Sequence, residues 1–249
     1  MIPNPILKVL STLRLRNVKN LLMGGQACVF YGAAEFSRDT DIVILSEPAN
    51  LKRLASALDE LKAEVIAVPP FHEKYLIRGH AVHFRCRHPD VYGMRIDVMS
   101  VLRNVDPFPK LWERRTTVET DGHGSYDLMA IPDLIQAKKT QRDKDWPMIR
   151  RLVESNYFEF GGNPSPERIE FWLKELRTPE LLIEISKKYP KANKKVSMMR
   201  PLLKYACAAM FDELSESLFE EELAERKKDM EYWKPLKDEL EKIRRRKTI

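Results

Sequence analysis

With 249 residues, 43% of them apolar and 32% charged, the chain has an ordinary globular composition and length enough for one large core or two modest ones. No apolar run approaches the roughly 20 residues of a membrane helix, and Met1-Ile-Pro-Asn-Pro-Ile-Leu-Lys8 lacks the pattern of a signal peptide. Three cysteines without CxxC spacing (Cys28, Cys86, Cys207) argue against a disulfide framework or zinc site and for a reducing, cytoplasmic setting.

Apolar residues at helical spacing (Ile6, Val9, Leu10, Leu13) predict an amphipathic helix over 5–17. Residues 18–23 read as a short strand running into Gly24-Gly25, and 26–32 as a short helix closed by Gly32. Strand, glycine pair and helix suit phosphate, because glycine lets backbone approach a ligand and a helix start offers unpaired N–H groups. Neither a Walker P-loop nor GxGxxG occurs, so those nucleotide-binding classes drop out.

The next stretch, Ser37-Arg38-Asp39-Thr40-Asp41-Ile42-Val43-Ile44-Leu45, places two carboxylates one residue apart at the start of an apolar run typical of a buried strand. Alternation puts Asp39 and Asp41 on one side. Like charges that close repel unless a cation sits between them, and a hard divalent ion such as Mg²⁺ suits them. A second Asp-x-Asp, Asp143-x-Asp145, falls in a turn between helices.

A helix is expected at 50–62, then strands at 64–68, 75–78 and 81–87. His72, His80, His83 and His88 lack metal-ligand spacing and read as surface or substrate-facing. In the strand 93–100, Met94, Ile96 and Val98 face one way and Arg95, Asp97 and Met99 the other. An acid in mid-strand is unfavourable unless a metal, a partner or solvent meets it. Loop and helix follow over 105–115, then a hairpin of 116–120 and 125–129 about Asp121-Gly122-His123-Gly124, then a helix opened by Pro132 and one over 147–154.

The stretch 161–166, Gly-Gly-Asn-Pro-Ser-Pro, is the clearest linker. Beyond it lie only helical patterns, at 167–176, 179–188, 198–214 and from 217 onward. The net charge of +6 and a pI near 9.1 permit a polyanionic partner. The excess is evenly divided, with 21 basic and 18 acidic residues in 1–149 against 22 and 19 in 150–249. The one dense cluster, Lys242 to Lys247, equally suits a solvated helix end.

In order and spacing, Gly24-Gly25, Asp39-Thr40-Asp41 and Ile96-Asp97-Val98 resemble the polymerase-β-like nucleotidyltransferase superfamily. Gly24-Gly25-Gln26-Ala27 is similar to the Gly-Gly-x-Ala variant of its bacterial toxin-type and abortive-infection-type members. Lys138-x-x-x-Arg142-x-Lys144-Asp145 resembles the segment those proteins carry after their third Asp. The resemblance implies a mixed α/β fold over 1–157, followed by a helical C-terminal domain at 165–249. It also implies transfer of a nucleoside monophosphate from NTP to a hydroxyl. Asp39, Asp41 and Asp97 would then hold Mg²⁺ or Mn²⁺, with Asp97 able to accept the hydroxyl proton. Gly24 and Gly25 would cradle phosphate, with Arg38, Lys138 and Arg142 as countercharges. The implied partners are NTP, RNA such as a tRNA end, and a cognate antitoxin protein. A small-molecule acceptor and a non-catalytic binding role are the alternatives.

Overall fold

Strands β1 (Asn20–Met23) and β2 (Asp39–Ile44) pair antiparallel inside a mixed α/β architecture. The structure, a computed structural model, describes residues 4–120, 122 and 124–247. It divides into two compact units, residues 1–137 with 231–249, and residues 138–230.

The first unit begins with α1 (Asn4–Leu15), whose Ile6, Val9, Leu10 and Leu13 are buried. After β1 the chain enters α2 (Gly24–Phe30), which starts on the glycine pair itself. β2 is followed by α3 (Pro48–Glu60), β3 (Ala63–Val65), α4 (Glu73–Leu76), β4 (Val82–Cys86) and β5 (Arg95–Met99). Then come α5 (Phe108–Glu113), the hairpin β6 (Thr116–Thr120) and β7 (Gly124–Leu128), and α6 (Ile131–Lys138). Of the expected hairpin turn, Asp121 and His123 lie outside the described residues.

Among the described residues seven strands form one sheet in the order β3-β4-β5-β2-β1-β7-β6. β2 runs parallel to β5, and β1 parallel to β7; the other neighbours are antiparallel. One face is a continuous apolar layer of Ile42, Ile44, Ile96, Val98, Val82 and Phe84. On the other face Val43 is buried, while Asp39 and Asp41 earlier in the same strand are only partly covered. A strand covered on both faces at one end and on one face at the other can carry charge only at the second.

Two expected elements are corrected. The strand expected at 75–78 is the single helical turn α4, because the His72 imidazole accepts the backbone N–H of Lys74 and caps a helix start. The helix expected over 198–214 is interrupted by a turn at Pro201, which cannot donate to a helical ladder.

In the second unit α7 (Asp145–Phe160), α8 (Pro166–Glu175) and α9 (Pro179–Lys188) are followed by α10 (Pro190–Ser197) and α11 (Leu203–Ala208). α11 stops at Ala209, a left-handed residue. The long α12 (Phe211–Lys247) starts in this unit and ends in the first. The segment 161–166 is the turn between α7 and α8, where Ser165 accepts the N–H of Arg168. Trp172 is fully buried, with its indole N–H donating to Asn156. Among the described residues, no helix is long and apolar enough to cross a membrane.

Candidate active site

Pairing in the first unit brings the acidic residues together. β2 lies parallel to β5 with Asp39 opposite Arg95 and Asp41 opposite Asp97. β4 sets His83 opposite Asp97 and Arg85 opposite Arg95. In-register neighbours point to the same face, so Asp39, Asp41, Asp97, Arg95 and His83 share one patch of sheet.

The glycine pair closes on this patch. Met23 pairs with Asp41, and at Gly24 the backbone turns with φ +67°. A Cβ on Gly24 would stand 1.9 Å from Asp41 Oδ2, and one on Gly25 2.7 Å from Ser37 Oγ. No side chain with a Cβ fits against Asp41 in this conformation, so glycine here is a requirement of close approach as well as of backbone shape. α2 has no side-chain N-cap. Its third residue, Gln26, is fully buried, and neither polar atom of its amide has a hydrogen-bond partner. A buried amide left so costs free energy that a ligand or water can recover. Arg38 is exposed, its guanidinium 5.6 Å from the Phe36 ring centroid.

Arg95 and His83 are the residues the sequence reading missed. Arg95 Nε donates to Asp97 Oδ1 at 2.7 Å, and His83 Nδ1 lies 2.9 Å from the same oxygen. Arg95 Nη2 is also 3.1 Å from His83 Nδ1. That nitrogen can donate to the carboxylate or accept from the guanidinium, but not both at once. Burial pushes the Asp97 carboxyl up, yet the hydrogen bonds from His83 and Arg95 outweigh it and hold the group below the usual carboxylate range. The Asp97 hydrogen bond, together with the charges of Asp97, Asp39 and Asp41, in turn raises the Arg95 guanidinium against partial burial. Arg95 thus supplies the cation that this set of carboxylates requires.

The donor set fits a hard divalent ion in kind, since all three predicted ligands are carboxylates on one sheet face and the backbone at Gly24 comes close to Asp41. It is not a finished cage. Among the described residues no group of three or more His, Cys, Asp or Glu is arranged to hold a metal ion. A metal here would compete with Arg95 for Asp97.

Lys138 and Arg142 cluster about Asp145 in the second unit. Lys138 Nζ lies 3.2 Å from Asp145 Oδ1, and Arg142 Nε donates to Asp145 Oδ2 at 2.8 Å. Thr140 Oγ1 donates to the same oxygen at 2.6 Å. Burial raises the Asp145 carboxyl, but Lys138, Thr140 and Arg142 prevail and keep it low. The expected phosphate cations are therefore engaged by an internal carboxylate, and the two aspartates of Asp143-x-Asp145 diverge, Asp143 being exposed and paired with Arg226. His80 is another correction. It is buried against Glu239 at 2.9 Å rather than on the surface, while His72 and His88 cap local turns.

Comparison of the sequence with protein families and with curated proteins gives no match to either.

Proposed function

We propose that this chain is a nucleotidyltransferase of the polymerase-β-like fold, dependent on Mg²⁺ or Mn²⁺, which moves a nucleoside monophosphate from an NTP to a hydroxyl acceptor and releases pyrophosphate. The observation that carries this reading is the register of Asp41 against Asp97 beside a glycine pair that has room for no side chain. Asp39, Asp41 and Asp97 would hold the divalent ion, which when bound neutralises charge developing on the transferred phosphoryl group. Gly24 and Gly25 give the triphosphate access to backbone N–H groups, and the exposed Arg38 offers it a cation. Asp97 stays ionised at neutral pH because Arg95 and His83 hold it so. It can then accept the hydrogen bond of the attacking hydroxyl and orient it, although a carboxylate of lowered pKa is a weak base.

The resemblance favours RNA, a tRNA end included, as acceptor, in a cytoplasmic toxin or defence setting with a cognate antitoxin protein. A small-molecule acceptor is the alternative. A second reading, binding without turnover, is favoured by the place of Arg95 among the carboxylates.

The test is incubation of the full chain with each α-labelled NTP, Mg²⁺ and total cellular RNA, followed by gel electrophoresis. Labelled RNA with the native chain, and none with Asp41→Asn or Asp97→Asn, is expected. Label in a small-molecule product but not in RNA selects the alternative acceptor. No incorporation into any acceptor from any NTP overturns the reading.

A further inference from the structure

A second charged feature of the first unit is independent of the carboxylates. The C-terminal part of α12 lies against α4 and the turn that follows it, and a groove of about 520 Å³ opens between them. This volume is within the range of roughly 300–1,000 Å³ found for ligand sites. Four cations line it, Lys74 and Arg78 from the α4 side and Lys242 and Arg246 from α12, with Tyr75 and Ile243 supplying apolar surface.

The walls are fixed to one another. Glu239 of α12 bonds to Arg78 and to His80, whose Nε2 is 2.9 Å away and whose side chain is buried. Gly79, at φ +93°, packs so that a Cβ would meet the Tyr232 hydroxyl at 3.2 Å and Leu236 at 3.7 Å. Glu239 is the one acidic residue of the lining, and Arg78 and His80 already engage it. The lining therefore keeps a positive excess.

A basic helix end alone is explained by the helix dipole, which favours Lys242 and Arg246 at the last turns of α12. It does not explain Lys74 and Arg78, which come from another element and face the same space. Glu239 offsets one of these charges, and the cations left over on the two walls repel across the groove unless a further anion lies between them. Lys74 Nζ lies over the Tyr75 ring, 4.9 Å from its centroid, so cation and aromatic ring stand together at the groove. That pairing suits a chain of phosphates carrying flat bases, for which backbone charge and base stacking act together.

We infer that this groove binds single-stranded nucleic acid, through consecutive backbone phosphates on Lys74, Arg78, Lys242 and Arg246 and a base on Tyr75. The inference does not rest on nucleotidyl transfer and holds whether or not the carboxylates act. Of the C-terminal cluster it selects Lys242 and Arg246, whereas Arg245 pairs along the helix with Glu241.

The test is fluorescence anisotropy of labelled oligouridylate and oligothymidylate, each of about a dozen nucleotides, with the full chain over a range of KCl. Four phosphate contacts at about −0.7 each predict a slope of log K against log salt near −2.8. RNA and DNA should bind alike, since neither the 2′-hydroxyl nor base edges are read. Lys242→Ala with Arg246→Ala should halve the slope and weaken binding about 25-fold at about 0.1 M salt. Both positions are exposed and alanine suits a helix, and an unchanged melting curve verifies the fold. The control Lys187→Ala with Lys191→Ala removes the same charge from exposed positions elsewhere and should bind as the native chain. Asp97→Asn should also bind as the native chain, which separates this inference from the proposed reaction. Equal weakening in the groove and control variants would mean general charge attraction and overturn the site. Displacement of the oligonucleotide by polyglutamate at matched charge would make it an acidic-peptide groove and overturn it as well.

Discussion

Replacing Arg95 by alanine should tighten divalent-cation binding while weakening the metal-free fold. The native guanidinium donates to Asp97 Oδ1 at 2.7 Å and also meets His83 at 3.1 Å. A charge-assisted hydrogen bond contributes about 1.5–3 kcal/mol. The Arg95 side chain is 38% exposed, and solvent screening places its contribution at the lower end, about 1.5 kcal/mol. The variant should lose about that much stability in EDTA, since Asp97 then loses its guanidinium partner while Asp41 stands opposite it in register. The same energy no longer has to be given up when a metal displaces the guanidinium, so Mn²⁺ or Mg²⁺ affinity should rise about tenfold. Calorimetric titration with Mg²⁺, Mn²⁺ binding by electron paramagnetic resonance, and melting with and without metal read both quantities without any assay of turnover. Arg95→Lys, which keeps the charge, should lie between the two. A folded Arg95→Ala protein with unchanged or weaker metal affinity would show that the arginine does not stand where the cation binds.

Gly24→Ala should cost about 1–2 kcal/mol through its left-handed backbone and should also abolish nucleotidyl transfer, because its Cβ would displace Asp41. Gly32→Ala has nearly the same φ, +70°, with nothing within 4 Å, so in urea melts it should show the backbone part of the loss alone and keep the activity. Asp145→Asn leaves Lys138 buried without a full countercharge and should destabilise by on the order of 3–5 kcal/mol, whereas Asp143→Asn, at an exposed pair, should change stability by less than about 1 kcal/mol. Because the folded pKa of Asp145 is lowered, its contribution is present above the unfolded value of about 4 and is lost as pH falls through the folded one. Acid unfolding of the native chain should therefore steepen below about pH 4, and the Asp145→Asn variant should lack that part of the curve.

The sequence made the strands legible where period-2 alternation was strong, as in Asp39–Ile44 and Arg95–Met99. It also indicated that Asp39, Asp41 and Asp97 belong together. Register is a property of pairing, and the opposition of Asp41 to Asp97 depends on β2 running parallel to a strand far along the chain. The signal for Arg95 was present, since it lies two residues before Asp97 on the same strand and so on the same face. His83 carried no comparable signal, because its meaning comes from β4 pairing antiparallel with β5. Spacing showed Lys138 and Arg142 as charges but could not show that Asp145 folds back on them. α4 read as a strand because a one-turn helix has no periodicity to display, and the cap that sets it is a histidine, an unusual choice. The basic groove was illegible because its two walls lie far apart along the chain, Arg78 and Glu239 being 161 residues from one another.

The most direct test of the central claim follows two labels through one reaction. NTP labelled at the α-phosphate or at the γ-phosphate is mixed with the full chain, Mg²⁺ and cellular RNA or a small-molecule extract, and product and released phosphates are separated. The α-label is expected in an acceptor, the γ-label in pyrophosphate in equal amount, and neither with Asp41→Asn or Asp97→Asn. A γ-label found in the acceptor or in inorganic phosphate, or an α-label that Asp97→Asn transfers as well as the native chain does, would contradict it.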